Sequence, residues 1–220
     1  MSRTAVIAGA TGLVGRHCLN TLLGDEAYAQ VVALVRRPLD LQHPKLVQEI
    51  VNFDALTEQP ARRCDVAFCA LGTTIRTASS REAFRRVDFE YVRSSARWVH
   101  AGGAQTFVFV SSVGADPHSP NFYLRTKGEA EQAIREVGFR AVHLLRPSML
   151  VGNRREFRLG EAVATPLFRA VSFLLLGGLR KYRPIAARDV ARAMVRAAAT
   201  SAPGTHIHHW PEIIALGLLP

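Results

Sequence analysis

Apolar residues along this chain fall into short dense runs, separated by stretches where they recur at helical spacing. Residues 4–8, 31–35, 66–69, 107–110 and 141–145 are such runs, and each predicts a strand. The run Val31-Val32-Ala33-Leu34-Val35 has no polar alternation, the pattern of a parallel strand buried on both faces. A weaker strand is expected over 46–53, closed by Asp54. Helical periodicity spans 12–23, 80–100 and 121–137; Gly102-Gly103 and Gly138 stop the last two. Strand and helix alternate, so the expected fold class is α/β, a doubly wound parallel sheet. After Pro147 the rhythm changes. Residues 185–198 predict a short strand and then a helix with Asp189 near its start. The expected division is a core over 1–150 and a small C-terminal substrate cap over 151–220, within one structural domain.

The first strand-helix turn carries the leading chemical signal. It reads Val6-Ile7-Ala8-Gly9-Ala10-Thr11-Gly12-Leu13-Val14-Gly15, with three glycines spaced three apart. Gly9 suits a tight turn off the strand, and Gly12 a close approach of backbone to a pyrophosphate. Gly15 suits close packing of helix on sheet, while free N–H groups at the helix start meet phosphate charge. This is the layout of a Rossmann-type NAD(P) site, although an ordinary strand-helix turn shares the pattern. The end of the second strand bears on the choice of cofactor. A site for NAD usually places a carboxylate there for the ribose 2′-hydroxyl, whereas this chain places Arg36-Arg37, 21 residues after Gly15. Two guanidinium groups suit a 2′-phosphate, so the expected cofactor is NADP(H).

Tyr123 and Lys127 stand i, i+4 on one predicted helix and so share a face. An ammonium beside a phenol favours the phenolate, moving tyrosine toward useful proton transfer, and the same lysine suits a ribose hydroxyl. Ser111 and Ser112 end the fifth strand, where a hydroxyl can donate to a carbonyl oxygen. The Gly loop, the serine and Tyr123-x-x-x-Lys127, in that order, resemble the short-chain dehydrogenase/reductase superfamily in its atypical and extended branches. More specific stretches are 65–74, Phe84-Arg85-Arg86-Val87-Asp88 with Tyr91-Val92, 111–116, and Arg146-Pro147. Together they resemble the Tat-interacting protein (oxidoreductase-like) family of atypical reductases.

The resemblance implies a catalytic set of Ser112, Tyr123 and Lys127, with Ser111 the alternative serine. It implies cofactor contacts from Gly9, Ala10, Thr11, Gly12, Leu13, Gly15, Arg36, Arg37, Tyr123 and Lys127. Asp54 is expected to hydrogen-bond the adenine, and Leu71 and Gly72 to lie against the adenosine ribose and pyrophosphate. Leu150 is expected at the nicotinamide carboxamide and Arg158 at the cofactor phosphates. One departure concerns the helix after the fourth strand. Related extended reductases often carry an asparagine there that holds a proton-relay water, and this chain has Asp88.

Composition narrows the remaining classes. The net charge of +10 comes from 25 Arg and 3 Lys, but the arginines are scattered and no dense block interleaves with aromatics. Solvated helix faces and phosphate contacts are expected, and no nucleic acid. Three cysteines without a framework suit a reducing cytoplasm, so a cytoplasmic location is expected. The apolar start is interrupted by the Gly loop, which argues against a signal peptide, and 162–178 is broken by Pro166 and Arg169, short of a membrane span. His206, His208 and His209 suggest a metal cluster at first sight. Alternation instead puts His206 and His208 on one face of a polar edge strand and His209 on the other, so no metal is expected. Residues 167–176 are expected to line a substrate cleft or a partner interface. The expected activity is NADP-dependent reduction of a small-molecule carbonyl. The alternatives are an NADPH-binding regulator or scaffold with a protein partner, and an NAD-dependent sugar-nucleotide epimerase or dehydratase. A monomer and a homodimer joined through 80–100 fit equally well.

Overall fold

The computed structural model describes residues 2–151, 176–200 and 202–218. Seven parallel strands make the main sheet: β1 (Arg3–Ala8), β2 (Tyr28–Val35), β3 (Leu46–Ile50), β4 (Val66–Cys69), β5 (Thr106–Val110), β6 (Ala141–Leu145) and β9 (Gly204–His208). They lie in the order β3-β2-β1-β4-β5-β6-β9. A separate pair, β7 (Leu150–Val151) and β8 (Ile185–Ala186), stands outside it. Chain order reverses between β1 and β4, and this is where a doubly wound sheet opens its ligand crevice.

The five dense apolar runs are the buried strands. Ala5 and Ile7 face one layer while Val6 and Ala8 face the other, and all four are buried. One layer holds α1 (Leu13–Gly24), α6 (Ala187–Ala199) and α7 (Trp210–Leu218). The other holds α4 (Tyr91–Ala101), α5 (Phe122–Glu136) and a 3-10 turn at Phe53–Glu58. Asn121 caps α5, its side chain accepting the Leu124 N–H at 3.1 Å.

Four sequence expectations change. The weak strand over 46–53 ends at Ile50, because Asn52 accepts the Asp54 N–H through its side chain and starts the 3-10 turn. The helix over 80–100 is not uniform. A four-residue helix, α2 (Ile75–Ala78), precedes it, and α3 (Arg81–Arg85) passes through a π turn at Arg86–Glu90 into α4. Part of the stretch expected as a cap over 151–220 belongs to the sheet and one of its layers. Helix α6 packs on α1, with Val190, Ala191 and Met194 in the same buried cluster as Val14, Cys18 and Leu22, and β9 pairs with β6. His209 lies beyond β9 rather than on its opposite face; its N–H donates to the Glu212 carboxylate at 3.0 Å as α7 begins. The expectations on 167–175 and Arg158 fall outside the described residues.

Sequence reading missed His143. It is buried in β6, beside His206 and His208 of β9, with rings stacked at 5.0 and 5.3 Å between centroids. Its Nδ1 lies 3.1 Å from His208 Nε2, so one nitrogen donates and the other accepts, and Thr200 Oγ1 is 3.4 Å from its other nitrogen. Burial, with His208 and His206 beside it, pushes the His143 imidazole down to about 4. Among the described residues no group of His, Cys, Asp or Glu is arranged to hold a metal ion.

The neutral ring has a consequence for stability. The folded state binds this proton less well than the unfolded chain, so the His143 contribution is complete above about pH 6.5 and is lost between 6.5 and 4. At about 1.4 kcal/mol per unit the loss is ~3 kcal/mol. Urea unfolding of His143→Leu should therefore show a flatter acid slope over this window than the wild type. An identical slope would mean that other groups set the acid limb.

Candidate functional site

At the β1–β4 crossover the ends of β1, β2 and β4 enclose a cavity of about 790 Å³, within the range of small-molecule sites. Gly9, Ala10, Thr11 and Gly12 line one side, and Arg36, Arg37, Pro38 and Leu39 another. Leu71 and Gly72, after β4, line it on the other side of β1, with Thr73, Thr77, Phe53, Val87 and Tyr91 completing the wall.

Two glycines make the floor possible. Gly9 has φ +86°, and a Cβ there would stand 2.6 Å from the Ala70 carbonyl. A Cβ on Gly15 would stand 2.0 Å from the Gly9 carbonyl oxygen. The loop thus fits only if α1 and the β4 loop both approach backbone to backbone. Gly12 is the N-cap of α1 and has no capping side chain, so the first N–H groups of this helix are left for an anion. These features fit a dinucleotide pyrophosphate. Leu13 and Gly15 begin α1 behind the loop and do not line the cavity. Arg36 and Arg37 are exposed at the end of β2, and no carboxylate follows until Asp40.

Asp54 stands beside the cavity: its carboxylate accepts the hydroxyl of Tyr91 at 3.1 Å and stands 3.9 Å from Arg86. The surfaces facing the cavity at this point are Phe53 and Tyr91, stacked at 5.3 Å between centroids. Both were missed from sequence, although an aromatic residue next to Asp54 was a readable signal.

Of the residues expected to be catalytic, Tyr123 and Lys127 lie on α5 and Ser112 follows β5. Tyr123 is half-buried, its ring 5.5 Å from that of Phe84. The Ser111 hydroxyl is buried without a partner among the described residues, whereas Ser112 is half-buried and its Oγ donates to the Val113 carbonyl at 3.4 Å. Leu150 is the first residue of β7 and packs against the layer of α1.

Lys127 has a partner that the sequence spacing did not show. Its Nζ lies 2.8 Å from the Asp88 carboxylate, and both side chains are buried, at 5% and 0% exposure. Burial pushes the ammonium down, but Asp88, and after it the Tyr123 phenol, more than offset this, so the group stands above the ordinary lysine value. The field of Lys127 at Tyr123 is therefore partly cancelled by the carboxylate beside it. Glu131, one turn further along α5, is buried and takes Arg146 as a fork: Nε donates to Oε1 at 2.8 Å and Nη2 to Oε2 at 2.6 Å. This pair ties the helix of Tyr123 to the end of β6.

With this geometry in place, comparison with known proteins becomes informative. Residues 9–201 match the NAD(P)H-binding family. The rat protein HTATIP2 is 38% identical over 172 residues, covering 76% of this chain and 71% of that protein. The Candida albicans protein named FMP52, mitochondrial, is 34% identical over 196 residues, covering 86% and 85%. Among solved structures, MoeE5 in complex with UDP-glucose and NAD superposes with a TM-score of 0.69 at 17% identity, over 97% of this chain and 80% of that one. The human epimerase family protein SDR39U1 with NADPH gives 0.65 at 19% identity, over 94% and 74%. These two likenesses concern the fold.

The expected cytoplasmic location is corrected by the names of relatives from Candida albicans, Coccidioides immitis and Scheffersomyces stipitis, which are called mitochondrial and point away from a purely cytoplasmic place. Unpaired cysteines report a reducing environment, and such an environment is not confined to the cytoplasm. No helix among the described residues is long and apolar enough to cross a membrane. The Gly9–Gly15 turn, the crossover cavity, the match over 9–201 and the 38% identity agree: the chain belongs to the NAD(P)H-binding family, in the atypical short-chain dehydrogenase/reductase group that includes the Tat-interacting protein.

Proposed function

We propose that this protein is an NADP-dependent oxidoreductase that reduces a small-molecule carbonyl, with Tyr123 as general acid. The observation that carries the reading is that one cavity joins the glycine loop of α1 to Arg36 and Arg37 at the end of β2. A phosphate on the ribose 2′-oxygen needs such a pair, and a free 2′-hydroxyl does not. When bound, the cofactor supplies a hydride. Tyr123 gives its phenolic proton to the carbonyl oxygen, so that carbonyl, hydride and proton become an alcohol. Ser112 donates to the same oxygen and orients it, while Lys127 holds the ribose and steadies Tyr123.

The guanidinium pair is tested by binding. In Arg36→Ala/Arg37→Ala the affinity for NADPH should fall by about 10²- to 10⁴-fold while that for NADH stays within threefold, given ~1.5–3 kcal/mol for each of the two charge-assisted contacts. Equal affinity of the wild type for both cofactors would reject NADP. Activity is then read as NADPH oxidation across aldehydes, ketones and quinones. A second reading, an NADPH-binding regulator without turnover, is favoured by the buried pairing of Lys127 with Asp88, which reduces the charge available to Tyr123. Tight NADPH binding with no turnover on any carbonyl would put that reading first.

A further inference from the structure

Asp88 has a place in this site that the sequence reading left open. It sits on the π turn between α3 and α4, a local widening of the helix that turns the residue inward. Its side chain is fully buried and meets donors from two directions. One oxygen lies 2.8 Å from Lys127 Nζ on α5, and the other accepts the Thr73 N–H at 2.9 Å. Thr73 and its neighbour Gly72 are cavity wall. A Cβ on Gly72 would stand 3.3 Å from both Asp88 Oδ1 and Lys127 Nζ, so this wall rests directly on the ion pair.

We propose that Asp88 is a positioning residue whose carboxylate keeps Lys127 an ammonium and fastens it to the cavity wall at Thr73. A lysine with its head this deeply buried loses its proton unless a counter-ion holds it. The other groups around Lys127 are the Tyr123 phenol one turn earlier on α5, the Cys69 thiol at the end of β4, and the Phe109 ring from β5 at 5.2 Å. Burial pushes that thiol up to about 12, so Cys69 is neutral at ordinary pH. Asp88 is the one carboxylate among these neighbours, and its second oxygen carries the state of Lys127 into the surface that a cofactor meets. The meaning for catalysis rests on the reductase reading; the holding of the charge does not.

The chain contains three lysines, Lys45, Lys127 and Lys181, so selective labelling at lysine Cε gives three resonances. Loss of one in Lys127→Met assigns Lys127. Titration without cofactor or substrate should find Lys127 protonated at least as far up in pH as an exposed lysine, about 10.4. In Asp88→Asn, which keeps an acceptor for Thr73, its midpoint should drop by one unit or more, a tenfold or greater loss of proton affinity. Asp88→Glu should recover at least half of the drop. A shift of less than one unit in Asp88→Asn overturns the proposal. If that variant does not fold, Asp88→Asn/Lys127→Met, with both charges removed, should fold; failure of both would make Asp88 a packing element and also overturn the proposal. Absence of carbonyl reduction in the wild type would sink the reductase reading and leave this titration unaffected.

Discussion

Replacing Tyr123 with phenylalanine is expected to lower the turnover of carbonyl substrates by about 10²- to 10⁴-fold, the span that a positioned proton donor contributes. That is a loss of ~3–5 kcal/mol of transition-state stabilisation. The ring of Tyr123 already packs against Phe84 at 5.5 Å, and the substitution keeps that contact. NADPH affinity should therefore stay within about threefold and the melting temperature within a few degrees. The proton passes only in the transition state, so kcat and kcat/KM should fall together. A decrease of less than tenfold, with binding intact, would remove Tyr123 as the acid and shift attention to the serines at the β5 end.

Gly15→Ala should have the other large effect, on binding and on folding at once. The added Cβ would meet the Gly9 carbonyl oxygen at 2.0 Å, the Gly9 carbonyl carbon at 2.8 Å and Ala10 Cα at 3.1 Å, all of them backbone. Gly9 cannot yield, because its left-handed φ and its contact with Ala70 fix it from the other side. Overpacking of this kind costs about 1–3 kcal/mol. The relief available is movement of the loop that meets the pyrophosphate, so NADPH affinity should fall at least about 100-fold. Gly24→Ala, at the other end of the same helix, supplies the control. Nothing stands within 4 Å of a Cβ there, and better helix propensity should leave it neutral or slightly more stable, by up to ~1 kcal/mol. If Gly15→Ala bound NADPH like the wild type, the α1 turn would not be the phosphate site.

Much of this architecture was legible because its signals are local. Runs such as Val31–Val35 announce a strand buried on both faces, and Gly9, Gly12 and Gly15 announce a backbone approach that few other residues permit. What the sequence hid depends on contacts between distant segments. Strand β9 was expected as a polar edge strand, but its partner β6 and the stacking of the buried His143 on its histidines could not be read locally. The π turn at Arg86–Glu90 has no glycine or proline to mark it. The Asp88–Lys127 pair is set by the approach of two helices and leaves no spacing to read. The contact between the Asp54 carboxylate and the Tyr91 hydroxyl of α4 was hidden for a similar reason, since it joins distant segments.

The packing of α6 on α1 has a consequence for how the chain matures. Residues 13–24 leave the ribosome before residues 187–199, which supply the cover that Val14, Cys18 and Leu22 need. Until those later residues emerge, one layer of the nucleotide crevice stands apolar and open, a surface suited to chaperone capture or to self-association. A fragment cut after residue 150 would hold the glycine turn on a helix that lacks the cover of α6, although most of the residues expected to touch the ligand precede that cut.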